Sequence, residues 1–214
     1  MPVVSISRQF GAGGRTLGQK VAARLGYQFV DQDLIDRVAE KADVSVEWVE
    51  AVEQEVGGRL MRIISGLVSS NFIERLLGDS ASDFDEKKYI EFIRRVMQDI
   101  AEQGEAVIIG RASQIILAEN PEVVRVLLVA DMDDRIEFMM KRHNLDRIAA
   151  DKAIAIGERK RSALMSVFGV TNPNDPSHYH VVINTSETPL KWAEDIVCSM
   201  VGCVLDQYTK PIWD

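Results

Sequence analysis

Positive charge is scarce in this 214-residue chain: 25 Lys and Arg stand against 33 Asp and Glu, for a formal net charge of −8. Duplex nucleic-acid binding draws its affinity from an excess of Lys and Arg that neutralises phosphates, so no nucleic-acid partner is expected. Long apolar runs are missing as well. The greasiest stretch, Val123 to Ala130, is interrupted by Arg125, far short of the roughly 18 to 20 residues a membrane span requires, so no membrane partner is expected either. The first ten residues, MPVVSISRQF, lack a basic flank, a long apolar core and a small-residue cleavage site, and the expected location is the cytoplasm. There are two cysteines, Cys198 and Cys203, without CxxC spacing. They read as reduced core residues, not as a redox or metal pair. Internal repeats and low-complexity tracts are absent. What remains, 46% hydrophobic and 27% charged residues, is the composition of a globular chain able to bury a core, and the length suits one domain with an insertion.

Short apolar strands alternate with amphipathic helices. Val3 to Ser7 is a β-branched run, and a glycine-rich turn at Gly11, Gly13 and Gly14 leads into a helix ended by Gly26. Strands are expected at Tyr27–Asp31, 106–109, 123–130 and 181–184. Helices are expected at about 86–103, after Arg111, at about 133–143 and 146–165, and after Pro189. In that last helix Trp192, Ile196, Val197, Met200 and Val204 are assigned to the inner face. Such alternation implies a parallel sheet covered on both sides.

A strand, a glycine turn and a helix in that order form an anion site, because free backbone N–H groups and the positive end of the helix dipole converge there. A GxGxxG dinucleotide fingerprint fails, since Thr16 stands where the third glycine belongs. A strict GxxxxGK[ST] loop fails too, with Arg8 at the first glycine and Gly14 at the lysine.

The segments SISRQFGAGGRTLG, LGYQFVDQDLI, VIIGRAS, VVRVLLVA, an ERKR helix and YHVVINTS together resemble the cytidylate kinase-like family of P-loop kinases over nearly the whole chain. The resemblance implies a P-loop NTPase fold with a five-stranded parallel sheet in the order 2-3-1-4-5, a helical acceptor-binding insert and a lid. On this reading residues 1–214 form a single kinase domain, with a core of about 1–44 and 104–214, an insert of about 45–103 and a lid of about 146–178. Related kinases carry GxGKGT at the loop, whereas this chain has Gly11, Ala12, Gly13, Gly14, Arg15 and Thr16. The missing lysine normally neutralises charge that develops between the β- and γ-phosphates. Arg15 and Arg8 are the two candidates to restore it. Thr16 is read either as a hydroxyl ligand of phosphate or Mg²⁺, or as the helix N-cap.

On the acceptor side, Asp31 and Asp33 follow the second strand at the edge where open α/β sheets bind ligands. They could orient Mg²⁺ waters, accept a proton from an attacking hydroxyl, or simply end the strand and cap the next helix. Their DxD also resembles shikimate kinase and dephospho-coenzyme A kinase, which phosphorylate hydroxyls. Arg111 matches the arginine that cytidylate kinases set against the acceptor monophosphate, a dianion that needs a bidentate cation to approach ATP. Arg159 and Arg161 match lid arginines; two residues apart, they cannot share one helix face, and Arg161 is the preferred phosphate ligand. Arg135 and Arg142 are further candidates for ATP contact. His178 and His180 point to opposite sides of a strand start and are not expected to share a metal. The amphipathic insert suits a monophosphate-binding flap or a homodimer contact.

The expected activity is γ-phosphoryl transfer from Mg·ATP to a nucleoside monophosphate, CMP or dCMP first. The alternatives are a kinase of a small-molecule hydroxyl and a nucleotide-binding protein without transfer. The charge distribution agrees with a polyphosphate cleft in an acidic body. Residues 1–30 hold four cations and no acid, residues 135–161 hold eight cations against four acids, and the remainder holds 13 against 29.

Overall fold

The computed structural model describes residues 1–31 and 86–205. Asp33, the segment 45–85 of the expected insert and the C-terminal residues 206–214 lie outside them.

Five strands, β1 (Val3–Arg8), β2 (Gln28–Val30), β3 (Ala106–Ile109), β4 (Val123–Val129) and β5 (Val181–Asn184), form one sheet in the order β2-β3-β1-β4-β5. Every pairing is parallel. This is the predicted order. Val3, Val4 and Ile6 of β1 are almost fully buried, as are all four residues of β3, because the inner strands of a parallel sheet are covered on both faces. Helices α1 (Gly14–Leu25), α2 (Glu86–Gln103), α3 (Ser113–Ile116), α4 (Met132–His143), α5 (Arg147–Val167) and α6 (Leu190–Leu205) flank it, with a 3₁₀ turn at Pro176–His178 that the sequence pattern did not show.

The main core lies on one sheet face, where Val4, Ile6, Val107, Ile109, Val124, Val126, Leu128 and Ile183 meet Leu17 and Val21 of α1 and Ala193, Val197 and Val201 of α6. The predicted face of α6 needs correction here: Trp192 and Ile196 are exposed, and the buried line is Ala193, Val197 and Val201. That line keeps the i, i+4 spacing with small residues, which lets the helix approach β4 and β5 closely. Cys203 is likewise exposed, while Cys198 packs at the core margin. Leu17 is fully buried in the layer that carries the glycine turn, so Leu17→Ala is expected to lower stability by about 2 to 5 kcal/mol in chemical denaturation. A loss under 1 kcal/mol would place α1 outside the cooperative core.

Among the described residues no helix is long and apolar enough to cross a membrane.

Candidate active site at the carboxyl edge of the sheet

Parallel strands deliver their following loops to one edge, and the registers place the ends of β1 and β3 side by side, with Ile6 opposite Ile109. The turn after β1 is held by its neighbours. Gln9 donates its N–H to the Leu128 carbonyl at 2.9 Å, and its side-chain oxygen accepts from Ala130 at 3.0 Å. The Thr185 hydroxyl lies 3.2 Å from the carbonyls of both Ala12 and Val129. The cap of α1 is Gly13, in left-handed conformation with φ 79°. Thr16 therefore sits inside the first turn and does not cap the helix.

Two cavities flank this turn. The smaller, about 210 Å³, is bounded by Gly11, Ala12, Gly13 and Thr16 together with Phe138, Thr185 and Thr188. The larger, about 770 Å³, runs under α5 and brings Arg8, Arg111, Lys160 and Arg161 into one wall, with Phe10, Gly110 and Gln114 beside them. Arg8 is the most enclosed of these cations. Burial, then the positive charges of Arg161 and Arg111, push its pKa down to about 10, with Glu158 and Asp31 opposing the shift. At neutral pH Arg8 therefore stays cationic, in a place where positive charge is already crowded.

Arg8 reaches its position along the start of β3's loop. A Cβ at Gly110 would stand 2.2 Å from an Arg8 guanidinium nitrogen, and Gly110 has φ 73°, so a side chain there is excluded by both contact and conformation. Arg111 (φ 56°) and Ala112 (φ 55°) continue the left-handed run, a strain on the order of 1 kcal/mol or more for each L-residue. Strain of this kind is retained where surrounding structure enforces it, commonly at ligand sites.

The remaining sequence candidates separate clearly. Arg15 is exposed and ion-paired with the largely buried Asp31 at 2.8 Å, and neither cavity wall includes it. Arg159 and Arg142 are exposed. Arg161 donates to the Asn174 side chain and to the Pro173 carbonyl, each at 2.8 Å, which aims the lid arginine from two sides. Arg135 is buried, and its guanidinium is engaged by the Phe10 carbonyl at 2.7 Å and by Glu158 at 2.8 Å. His180 is tied to Arg125, whose backbone N–H donates to Nδ1 at 3.1 Å. Burial and Arg125 hold its imidazole below the ordinary range.

Three side chains were not assigned roles from sequence. Lys160 lines the larger cavity, although in a run of charges its direction is unreadable. Glu158 joins the lid to the glycine turn. Gln114 is almost fully buried, with Nε2 3.2 Å from the Tyr179 hydroxyl and 3.3 Å from the Met165 sulfur. The Tyr179 proton is donated to the Pro173 carbonyl at 2.8 Å, so the amide must turn its N–H toward Tyr179. Its Oε1 has no hydrogen-bond partner among the described residues, which leaves an acceptor at the cavity wall.

No group of three or more His, Cys, Asp or Glu gathers as a metal site among the described residues. Of the two residues expected to offer oxygens to a metal, Thr16 lines the smaller cavity, as Asp134 also does, and Asp31 stands just after β2 in its ion pair with Arg15. Hard donors of that kind and number fit Mg²⁺, which takes one or two protein oxygens and completes its shell with water and phosphate oxygens.

The cytidylate kinase from Methanopyrus kandleri is 29% identical over 125 residues, which span 53% of this chain and 61% of that relative. Among solved structures, an uncharacterized protein from Eubacterium ventriosum superimposes with a TM-score of 0.64 at 19% identity, covering 94% of this chain and 98% of that one. A gluconokinase from Sinorhizobium meliloti reaches 0.51 at 10% identity, with 96% and 94% covered. These two likenesses show a shared fold. The model of the cytidylate kinase-like family matches residues 3–187, and the chain belongs to that family.

Proposed function

We propose that this protein transfers the γ-phosphoryl group of ATP to a nucleoside monophosphate, with CMP or dCMP as the preferred acceptor. One observation carries the reading: four cations, Arg8, Arg111, Lys160 and Arg161, line a single cavity of about 770 Å³ next to a glycine turn. Transfer between two phosphorylated substrates has to overcome repulsion between them, and a converging set of cations answers that need. A hydroxyl acceptor such as shikimate or gluconate carries at most a single carboxylate and no phosphate dianion.

In this reading the nucleoside of ATP occupies the smaller cavity beside Thr185 and Phe138, and its phosphates cross the N–H groups of Gly11 to Gly14 at the start of α1. Arg8 takes the place of the missing lysine, and Arg161 closes from the lid. Arg111 holds the acceptor phosphate in line. Thr16 and Asp31 are the oxygens this chain would offer a Mg²⁺ entering with ATP, which would supply charge neutralisation at the phosphates. The unsatisfied carbonyl of Gln114, buried behind the wall of the larger cavity, suits an acceptor base that presents an exocyclic amine, which cytosine does, once a side-chain adjustment exposes it. Family membership supports the assignment of the reaction class.

The test is ADP release over a panel of nucleoside monophosphates and hydroxyl acceptors including shikimate and gluconate. The expected result is turnover with CMP and dCMP at least tenfold faster in kcat/KM than with any hydroxyl acceptor, a difference of about 1.4 kcal/mol or more. Turnover with a hydroxyl alone would overturn the acceptor assignment. ATP binding without turnover of any acceptor would overturn the assignment of an activity.

A further inference from the structure

We propose that Glu158 is a positioning residue that registers the lid helix on the glycine turn and serves as the internal counter-anion of the cations that grip polyphosphate. The proposal rests on the phosphoryl-transfer reading of this site.

The geometry is specific. One carboxylate oxygen of Glu158 accepts the Phe10 backbone N–H at 2.5 Å and an Arg135 guanidinium N–H at 2.8 Å, while the other accepts from Arg161 at 3.2 Å. Arg135 closes the ring by donating to the Phe10 carbonyl at 2.7 Å. Phe10 immediately precedes Gly11, so one side chain of α5 fixes the entrance of the glycine turn, a buried arginine of α4 and the lid arginine together. Packing reinforces this: a Cβ at Gly157 would stand 2.2 Å from the Phe10 ring, so the lid helix lies directly on that ring. The charge of Glu158 also acts on Arg8, where it opposes the effect of burial.

A single carboxylate thus faces Arg8, Arg135 and Arg161. A polyphosphate entering the larger cavity neutralises Arg8 and Arg161 and competes with Glu158 for them. The carboxylate keeps the site intact when empty at some cost to ligand affinity, and its reach to Phe10 keeps Arg161 in register when filled. Charge and reach can be separated, since Glu158→Gln keeps the length without the charge and Glu158→Asp keeps the charge without the length.

The experiment measures inorganic pyrophosphate binding by calorimetry and steady-state phosphoryl transfer for both variants and the wild type. Glu158→Gln is expected to bind pyrophosphate about tenfold more tightly, because a competing charge is removed, while kcat falls about tenfold or more, because the amide keeps one acceptor oxygen for Phe10 and Arg135 but its NH₂ cannot accept from Arg161. Glu158→Asp is expected to keep wild-type pyrophosphate affinity and to lose kcat by a similar factor. A carboxylate with only a structural role would lower pyrophosphate affinity in Glu158→Gln along with the melting temperature. Unchanged or weaker pyrophosphate binding in Glu158→Gln, or wild-type kcat in either variant, overturns the proposal. Should Glu158→Gln fail to fold, Glu158→Asp decides it: loss of kcat with affinity intact supports it, and retained kcat overturns it. If the wild type phosphorylates no acceptor, the phosphoryl-transfer reading fails on that ground, and the pyrophosphate measurement decides the counter-anion role alone.

Discussion

Replacing Arg8 with alanine is expected to lower kcat by about a thousandfold while weakening ATP binding by no more than about tenfold. The asymmetry follows from where the charge sits. Arg8 lies in the wall of the larger cavity with its guanidinium in the space a side chain at Gly110 would fill, and its pKa near 10 leaves it charged at neutral pH. A fixed cation beside the transferring group acts mainly on charge that develops in the transition state. In the proposed arrangement ATP is held mainly by the glycine turn and the smaller cavity, so the loss of binding is smaller. Arg15 is the internal control, being exposed and already paired with Asp31. Arg15→Ala should retain activity to within about fivefold, on the scale set by exposed ion pairs. Steady-state ADP release and calorimetric ATP binding measure both quantities. A thousandfold loss in Arg15→Ala with little change in Arg8→Ala would reverse the assignment.

The second large effect is expected at Arg111, where alanine should raise KM for CMP about a hundredfold and lysine should recover only part of that loss. A guanidinium offers a planar, bidentate grip that a single ammonium does not. Its backbone, left-handed at φ 56° beside Gly110 and Ala112, points the same way, because a strained turn after a buried strand needs a reason to persist. The same variant separates the acceptor classes. For an uncharged hydroxyl acceptor Arg111→Ala would leave KM nearly unchanged, since no anionic group is there to hold, whereas for a monophosphate the defect should be specific to the acceptor and leave KM for ATP within about threefold. A defect confined to ATP would move Arg111 to the donor side.

Much of the fold was legible in the order of residues. β3 and β5 coincide with the runs 106–109 and 181–184; β3 is legible because a buried parallel strand appears as an uninterrupted apolar segment beside a glycine, and the edge strand β5 through its β-branched Val181, Val182 and Ile183. α1 ends at Gly26 in left-handed conformation, as a terminal glycine implies. The face of α6 was misassigned because Trp192 and Ile196 are the bulkier apolar residues, while close packing on the sheet selects Ala193. Cys203 failed for the same reason: apolar character says what a side chain can do, and helix rotation says where it goes.

At the site, sequence alone determined the chemical kinds present: a glycine turn between strand and helix, an arginine after β3 and a basic helix before β5. These are local, since each depends on a few adjacent residues and on period and turn chemistry. Which cation faces which cavity was decided only by tertiary structure. Arg8 and Arg15 are equally plausible on paper, and the difference arises because Arg8 leaves a buried central strand toward Gly110 while Arg15 leaves the first turn of α1 toward Asp31. Glu158 and Arg135, 23 positions apart, carry no pattern that joins them. Their pairing exists because α4 and α5 fold back over Phe10, bringing charge together through packing at distances where its energy is large.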